Sequence, residues 1–225
     1  MADNLKSKFV LLIDSGHGKN TSEKQKFSPL IESSMIIPQE FIYKGRFREC
    51  LFNRVVAKEV VDILQSYGYD ARMLVTEEYE DVALSTRVAR VNNICKKVGA
   101  GNVVLVSIHA NANGYGNEWT SANGWEVWTT PGQNNSDILA TMIYNRMKKN
   151  APNLKMRTDY TDKDPDKESN FYIIKNANCP ACLTENCFYT SKSDLLWMTS
   201  ELGLQAIVRS HVEGIIDFVN YKSSK

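Results

Sequence analysis

Nowhere does the sequence hold about 18 consecutive apolar residues, the length a membrane-spanning helix needs, so no span is expected. The opening residues MADNLKSK lack the apolar stretch of a secretory signal, and the chain reads as soluble and without a signal peptide. Neither sign of charge is in surplus: 27 basic and 26 acidic residues leave a formal net charge of +1. A global field that would draw nucleic acid or an anionic membrane is absent, and no nucleic-acid partner is expected. Cysteine is sparse and odd in number, at Cys50, Cys95, Cys179, Cys182 and Cys187, which argues against a disulfide framework in a chain of this size. Cys179-Pro-Ala-Cys182 has the CxxC spacing, but no second pair exists to complete a structural zinc site. It also runs into an apparent strand, whereas the redox version opens a helix, so packing is the expected role. Phosphate-binding glycine motifs are missing too, because GHGKNT has a glycine pair without their spacing.

What is present is enough apolar material for a substantial core. With 43% hydrophobic residues in 225, a single domain over 1–225 is expected. Phe9 to Ile13 is a continuous apolar run that reads as a buried strand, and Asp-Ser-Gly-His-Gly follows as the turn leaving it. Asn102 to His109 repeats that pattern, ending on a second histidine. Tyr69 to Val75, Gly124 to Thr130, Phe171 to Ile174 and Ala181 to Thr184 read as further strands. Helical spacing of apolar residues runs from Arg46 to a stop at Gly68, then over Ala83 to Ile94, Asp137 to Lys148, Ser193 to Thr199 and Leu202 to Val219. Residues 20–45 and 150–170 are polar and carry prolines, and both read as long loops. Strands alternating with helices predict an α/β, three-layer fold with a mostly parallel central sheet and helices on both faces.

His17 and His109 thus stand at the carboxyl ends of two buried strands, where open α/β sheets place their sites. Either one alone serves equally well as a satisfied turn residue. Glu49 lies in the first turn of a helix on the same face as Phe52, Val56 and Ile63. That is an unusual position for a carboxylate without a partner, although a favourable charge at a helix start accounts for it as well. His17, Glu49 and His109 would supply the three His and carboxylate ligands of a catalytic zinc, one ion per chain, with a fourth position left for water. Glu185, ending the strand ACLT, is the candidate to move the water's proton to a leaving nitrogen. His211, inside the last helix, reads as structural. Arg87 and Arg90 read as structural ion-pair residues, with substrate contact as the alternative.

IDSGHG with His17, Glu49 opening a long helix, SIHANA with His109, NGWEVW as a following strand and LTENCF with Glu185 occur in order. In these motifs the sequence resembles the zinc-dependent N-acetylmuramoyl-L-alanine amidases of the amidase-3 type, from about Phe9 to Val219. The resemblance implies a fold loosely similar to zinc carboxypeptidases and phosphorylase-like proteins. It implies peptidoglycan as partner and substrate, cut at the amide between N-acetylmuramic acid and L-alanine, with His17, Glu49 and His109 holding zinc and Glu185 as general base and then acid. Asn111 is a further, weaker candidate for binding substrate. The reaction would lie at the bacterial cell wall, outside the membrane, or follow release from the cytoplasm if the protein is phage-derived. Two departures stand out. KNTSEKQKFSP replaces the glycine-rich continuation after His17, as in phage and prophage amidases, and Cys187 stands where glycine is common. Other zinc peptidases or amide hydrolases, and a catalytically silent peptidoglycan-binding module, are the competing readings, and a regulatory partner is left open.

Overall fold

The computed structural model describes residues 8–21 and 26–225. Residues 1–7, on which most of the signal-peptide reading rests, and residues 22–25 of the loop expected over 20–45 lie outside the described residues.

The chain opens with strand β1 (Val10–Ser15), followed by β2 (Phe27–Leu30), β3 (Ile42–Tyr43) and β4 (Arg46–Arg48). Helix α1 (Glu49–Ser66) leads to β5 (Asp70–Met73), α2 (Leu84–Val98), β6 (Val103–Asn111) and β7 (Glu126–Thr129). After α3 (Asn135–Asn150) come β8 (Lys167–Glu168), the single turn α4 (Tyr172–Lys175), β9 (Ala181–Phe188), α5 (Lys192–Met198) and α6 (Glu201–Ser223). Six strands form the central sheet in the order β5-β1-β6-β9-β7-β8. From β5 to β9 neighbours are parallel, and β7 runs antiparallel to β9, so the sheet is mostly parallel, as expected.

The continuous apolar runs of β1 and β6 follow from this architecture, because a strand covered on both faces needs apolar side chains at every position. Leu11, Ile13, Val104 and Val106 face one core, packed with Val56 and Val60 of α1, Ile143 of α3 and Ile215 of α6. Val10, Leu12, Val103 and Leu105 face the opposite core with Val88 and Val91 of α2 and Ile173 and Ile174 of α4. At about 25 cal/mol per Å² of apolar surface removed from water, these two layers provide the main drive for folding.

Four expectations need correction, the smallest being the loop expected over 150–170, which contains the two-residue strand β8 paired with β7. The segment expected as a loop over 20–45 contains β2 and β3, which flank β4 in a small antiparallel sheet. The strands are two to four residues long, and Pro29 sits on an outer one, where a missing donor is tolerated. The helix expected from Arg46 begins at Glu49, because Arg46 to Arg48 are extended as β4. Phe171 to Ile174 is a helical turn rather than a strand, closed by Lys175 N–H donating to Phe171 O at 2.9 Å. A four-residue apolar run has too few positions to distinguish the two periods. Among the described residues no helix is long and apolar enough to cross a membrane.

Candidate metal centre

Both histidines reach the site through close backbone approaches. A Cβ on Gly16 would lie 2.2 Å from Cε1 of His109, and one on Gly18 would lie 2.3 Å from the Asp81 amide nitrogen. Glycine at both positions is therefore a steric requirement of the turn after β1. Between them His17 adopts φ 65°, a left-handed conformation that costs a non-glycine residue roughly 1–2 kcal/mol, and this turns its ring towards His109. The two rings meet edge to face with centroids 5.1 Å apart. Glu49, the first residue of α1, is fully buried. Its Oε1 lies 3.2 Å from His109 Nδ1 and 3.5 Å from His17 Nε2. Ligand atoms of His17, Glu49 and His109 all fall within 4.8 Å of one another.

Each imidazole has an outer partner on the nitrogen that faces away from Glu49. His109 Nε2 donates to Ser107 Oγ at 3.2 Å, Ser107 donates to Asp14 Oδ2 at 2.6 Å, and Arg87 donates to Asp14 Oδ1 at 2.7 Å. His17 Nδ1 lies 3.8 Å from Asp81 Oδ2. Asp81 is also held by Thr21 and Arg87, and its interaction with His17, reinforced by these groups, lowers its pKa to about 2. These contacts occupy the outer nitrogen of each imidazole and leave His109 Nδ1 and His17 Nε2 facing Glu49, the orientation a metal-binding imidazole requires. Glu49 Oε1 further accepts from Asn53 Nδ2 at 3.2 Å and the Ala110 amide at 3.3 Å. Its Oε2 is buried without a hydrogen bond. Burial disfavours the Glu49 carboxylate, but His17, the His109 hydrogen bond and Lys26 outweigh it and hold the carboxyl well below its ordinary range. Burial and the neighbouring His17 push His109 the other way, towards the neutral form. A buried carboxylate, two imidazoles facing it and an unsatisfied buried oxygen together fit a divalent cation.

Glu185 of β9 stands beside His109 of β6 in register, with Glu126 of β7 on its other side. Burial, then the charges of Glu49 and Glu126, raise its pKa well above the usual carboxylate value, and its Oε2 has no partner. Register slips between His109 and Asn111, and in the facing strand Cys187 takes φ 70°. That left-handed backbone is one that glycine adopts without strain and a cysteine does not. Glu185, Asn111, Lys26, Tyr115 and Tyr189 are among the residues that line a cleft of about 210 Å³. Asn111 donates from Nδ2 to Glu126 Oε1 at 2.7 Å, so its amide group already braces the cleft wall. Arg157 and Lys167 reach the same Glu126 carboxylate at 2.8 and 3.1 Å.

Sequence reasoning did not find Asp14, Ser107, Asn53 or Asp81. The signal for the first two was available as polar residues inside otherwise apolar strands. Arg87 proves to be structural, 2% exposed and bonded to Asp14, Ser15 O and Val82 O. Arg90 pairs with Glu77. His211 is fully buried away from the cleft, bonded to Thr184 Oγ1 at 2.9 Å and Ile207 O at 2.7 Å. All five cysteines are buried thiols, and burial pushes Cys179 and Cys182 far up from the ordinary thiol range. A second carboxylate group, Asp137, Asp164 and Asp166, gathers at the start of α3. There burial, and next the adjacent Asp164, push Asp166 up to about 8.

Fold and site together define a three-layer α/β domain with a candidate mononuclear metal centre at the carboxyl ends of its parallel strands. The chain belongs to the N-acetylmuramoyl-L-alanine amidase family, whose profile matches residues 11–217. It is 28% identical to the endolysin of Bacillus phage SPP1 over 169 residues, 72% of this chain and 58% of that protein. With the N-acetylmuramoyl-L-alanine amidase CwlM of Bacillus licheniformis it shares 27% identity over 150 residues, 64% of this chain and 54% of that protein. The chain thus spans a little over half the length of these curated relatives. Its fold is similar to the crystal structure of an N-acetylmuramoyl-L-alanine amidase from Clostridium difficile 630, with a TM-score of 0.72, 24% identity, and 96% and 98% of the two chains covered.

Proposed function

We propose that this chain is a zinc-dependent amidase that hydrolyses the amide between N-acetylmuramic acid and L-alanine in peptidoglycan, acting as a single catalytic domain at the bacterial cell wall. The observation that carries this reading is the convergence of His17, Glu49 and His109 from three elements, with Glu185 in the adjoining cleft. His17 Nε2, a Glu49 oxygen and His109 Nδ1 would hold the ion. A zinc ion held there would supply a Lewis acid that polarises the carbonyl and lowers the pKa of water to about 7. In its carboxylate form Glu185 takes the proton from the attacking water as the water's oxygen bonds to the carbonyl carbon. It then gives that proton to the alanine nitrogen as the carbon–nitrogen bond breaks, so the products are a free carboxyl on the lactyl group and a free amine. Asp14, Ser107 and Asp81 would hold the imidazoles in the tautomers that ligation needs, and Asn111 with Glu126 would form the cleft wall that takes the stem peptide.

Mass spectrometry of sacculi digested with zinc-loaded protein tests the reading. Free stem peptides beginning with L-alanine and intact glycan chains are expected. Cleavage within the peptide would make it a zinc peptidase, and binding without any product would make it a silent wall-binding module. Glu185→Gln is expected to retain zinc while losing about 10²- to 10⁴-fold in turnover. Undiminished turnover in that variant would remove Glu185 as the proton carrier.

A further inference from the structure

Lys26 belongs to none of the motifs that pointed to the site, yet its ammonium lies 3.5 Å from Glu49 Oε2. It stands just before β2, in the polar segment that follows His17. Its backbone is fixed from two sides: Lys26 O accepts from the Glu49 amide at 3.1 Å, and the Tyr189 hydroxyl is hydrogen-bonded to the Lys26 backbone. Phe27, the next residue, is pinned in the small sheet beneath the Arg48 guanidinium. Lys26 itself takes φ 85°, a conformation that a lysine holds only where the surroundings impose it. The side chain is half-buried and lines the same cleft as Glu185, and its charge acts on both Glu49 and Glu185. Among the described residues it is the one cationic side chain lining that cleft.

Hydrolysis of an amide moves negative charge onto the carbonyl oxygen, and a fixed donor aimed at that oxygen lowers the barrier more than any contact made equally in the ground state. We propose that Lys26 is a catalytic residue of the amidase reaction, its ammonium hydrogen-bonding the scissile carbonyl oxygen opposite Glu185 and stabilising the charge that develops there. The proposal rests on the amidase reading above. A lysine that merely neutralised Glu49 would have no need to line the cleft. The braced backbone fixes where the side chain starts and the Glu49 contact where the ammonium ends, and a donor held in place is what preorganised stabilisation of a transition state requires.

The test uses the whole chain with zinc, comparing wild type, Lys26→Met and Lys26→Arg. Zinc content, kcat and KM on a defined muropeptide would be measured. The affinity of a phosphinate that replaces the lactyl carbonyl carbon by phosphorus would be read by calorimetry. In Lys26→Met, one zinc per chain, a kcat lowered about 100- to 1,000-fold, a KM changed less than about threefold and phosphinate affinity weakened by a factor similar to kcat are expected. Lys26→Arg should recover at least about tenfold of the loss, since it restores a cationic donor. A kcat within about threefold of wild type, a loss that follows missing zinc, or unchanged phosphinate affinity would each overturn the proposal. If the Met variant does not fold, Lys26→Gln is read against the same outcomes. Should wild type release no L-alanine-headed peptides, the amidase reading itself fails. Wild-type turnover with an equally active Lys26→Met variant defeats only the role of Lys26.

Discussion

Removing one hydroxyl tests how the metal centre is held. Ser107 is fully buried, and its oxygen accepts from His109 Nε2 at 3.2 Å while donating to Asp14 at 2.6 Å. In Ser107→Ala the imidazole loses its outer hydrogen-bond partner, and Asp14 keeps its bond from Arg87 at Oδ1. Loss of such an outer partner typically lowers metal affinity about 10- to 100-fold, which is about 1.4–2.7 kcal/mol of binding free energy. Asp14 is 1% exposed, so losing a hydrogen bond to its charge also destabilises the metal-free protein by roughly 1.5–3 kcal/mol. Competition with a chromophoric chelator measures zinc affinity, and urea unfolding in EDTA measures the metal-free stability. If stability falls while zinc affinity stays within about twofold of wild type, Ser107 is a packing partner of Asp14 and the reasoning from tautomer to metal is wrong.

Gly16→Ala puts a methyl within 2.2 Å of the His109 ring; the variant should fold yet lose most of its zinc, and full zinc occupancy would show that the ring has room to move. His211 is fully buried and its pKa is lowered to about 4, first by burial. The unfolded chain therefore binds the extra proton between pH 6.5 and 4, and this histidine removes about 3 kcal/mol of stability as pH falls through that window. Urea titrations at pH 7 and 4.5 should show less acid destabilisation in His211→Asn; identical acid sensitivity would contradict the shift. Asp166, raised to about 8, has the opposite sign: the folded chain holds the proton longer, so its contribution declines as pH rises from about 4 to about 8. Melting temperatures at pH 5 and 9 should lie closer together in Asp166→Asn than in wild type, and an unchanged gap would show that Asp166 is ionised throughout.

The parts of the fold legible in the sequence are those written as continuous patterns. Buried parallel strands are unbroken apolar runs, which is why β1 and β6 and the histidines that end them could be read directly. Glu49 was visible because a carboxylate interrupts an apolar helix face. The contacts supporting the ligands were hidden because they depend on which strands lie side by side. Asp14 and Ser107 are neighbours only through the β1–β6 register, and neither strand alone contains that information. Asn53 sits one helical turn after Glu49, where its role depends on the Gly16 carbonyl it also reaches, at 3.1 Å. The small sheet of β2, β3 and β4 escaped because its strands are shorter than the period needed to recognise them. Lys26 escaped because a single lysine in a polar segment looks like any solvated charge.

Anomalous diffraction at the zinc edge, from crystals grown with stoichiometric zinc, tests the central claim most directly. One peak is expected, about 2.0–2.2 Å from His17 Nε2, a Glu49 carboxylate oxygen and His109 Nδ1. A peak only among Asp137, Asp164 and Asp166, or none at all in a folded protein, would contradict it.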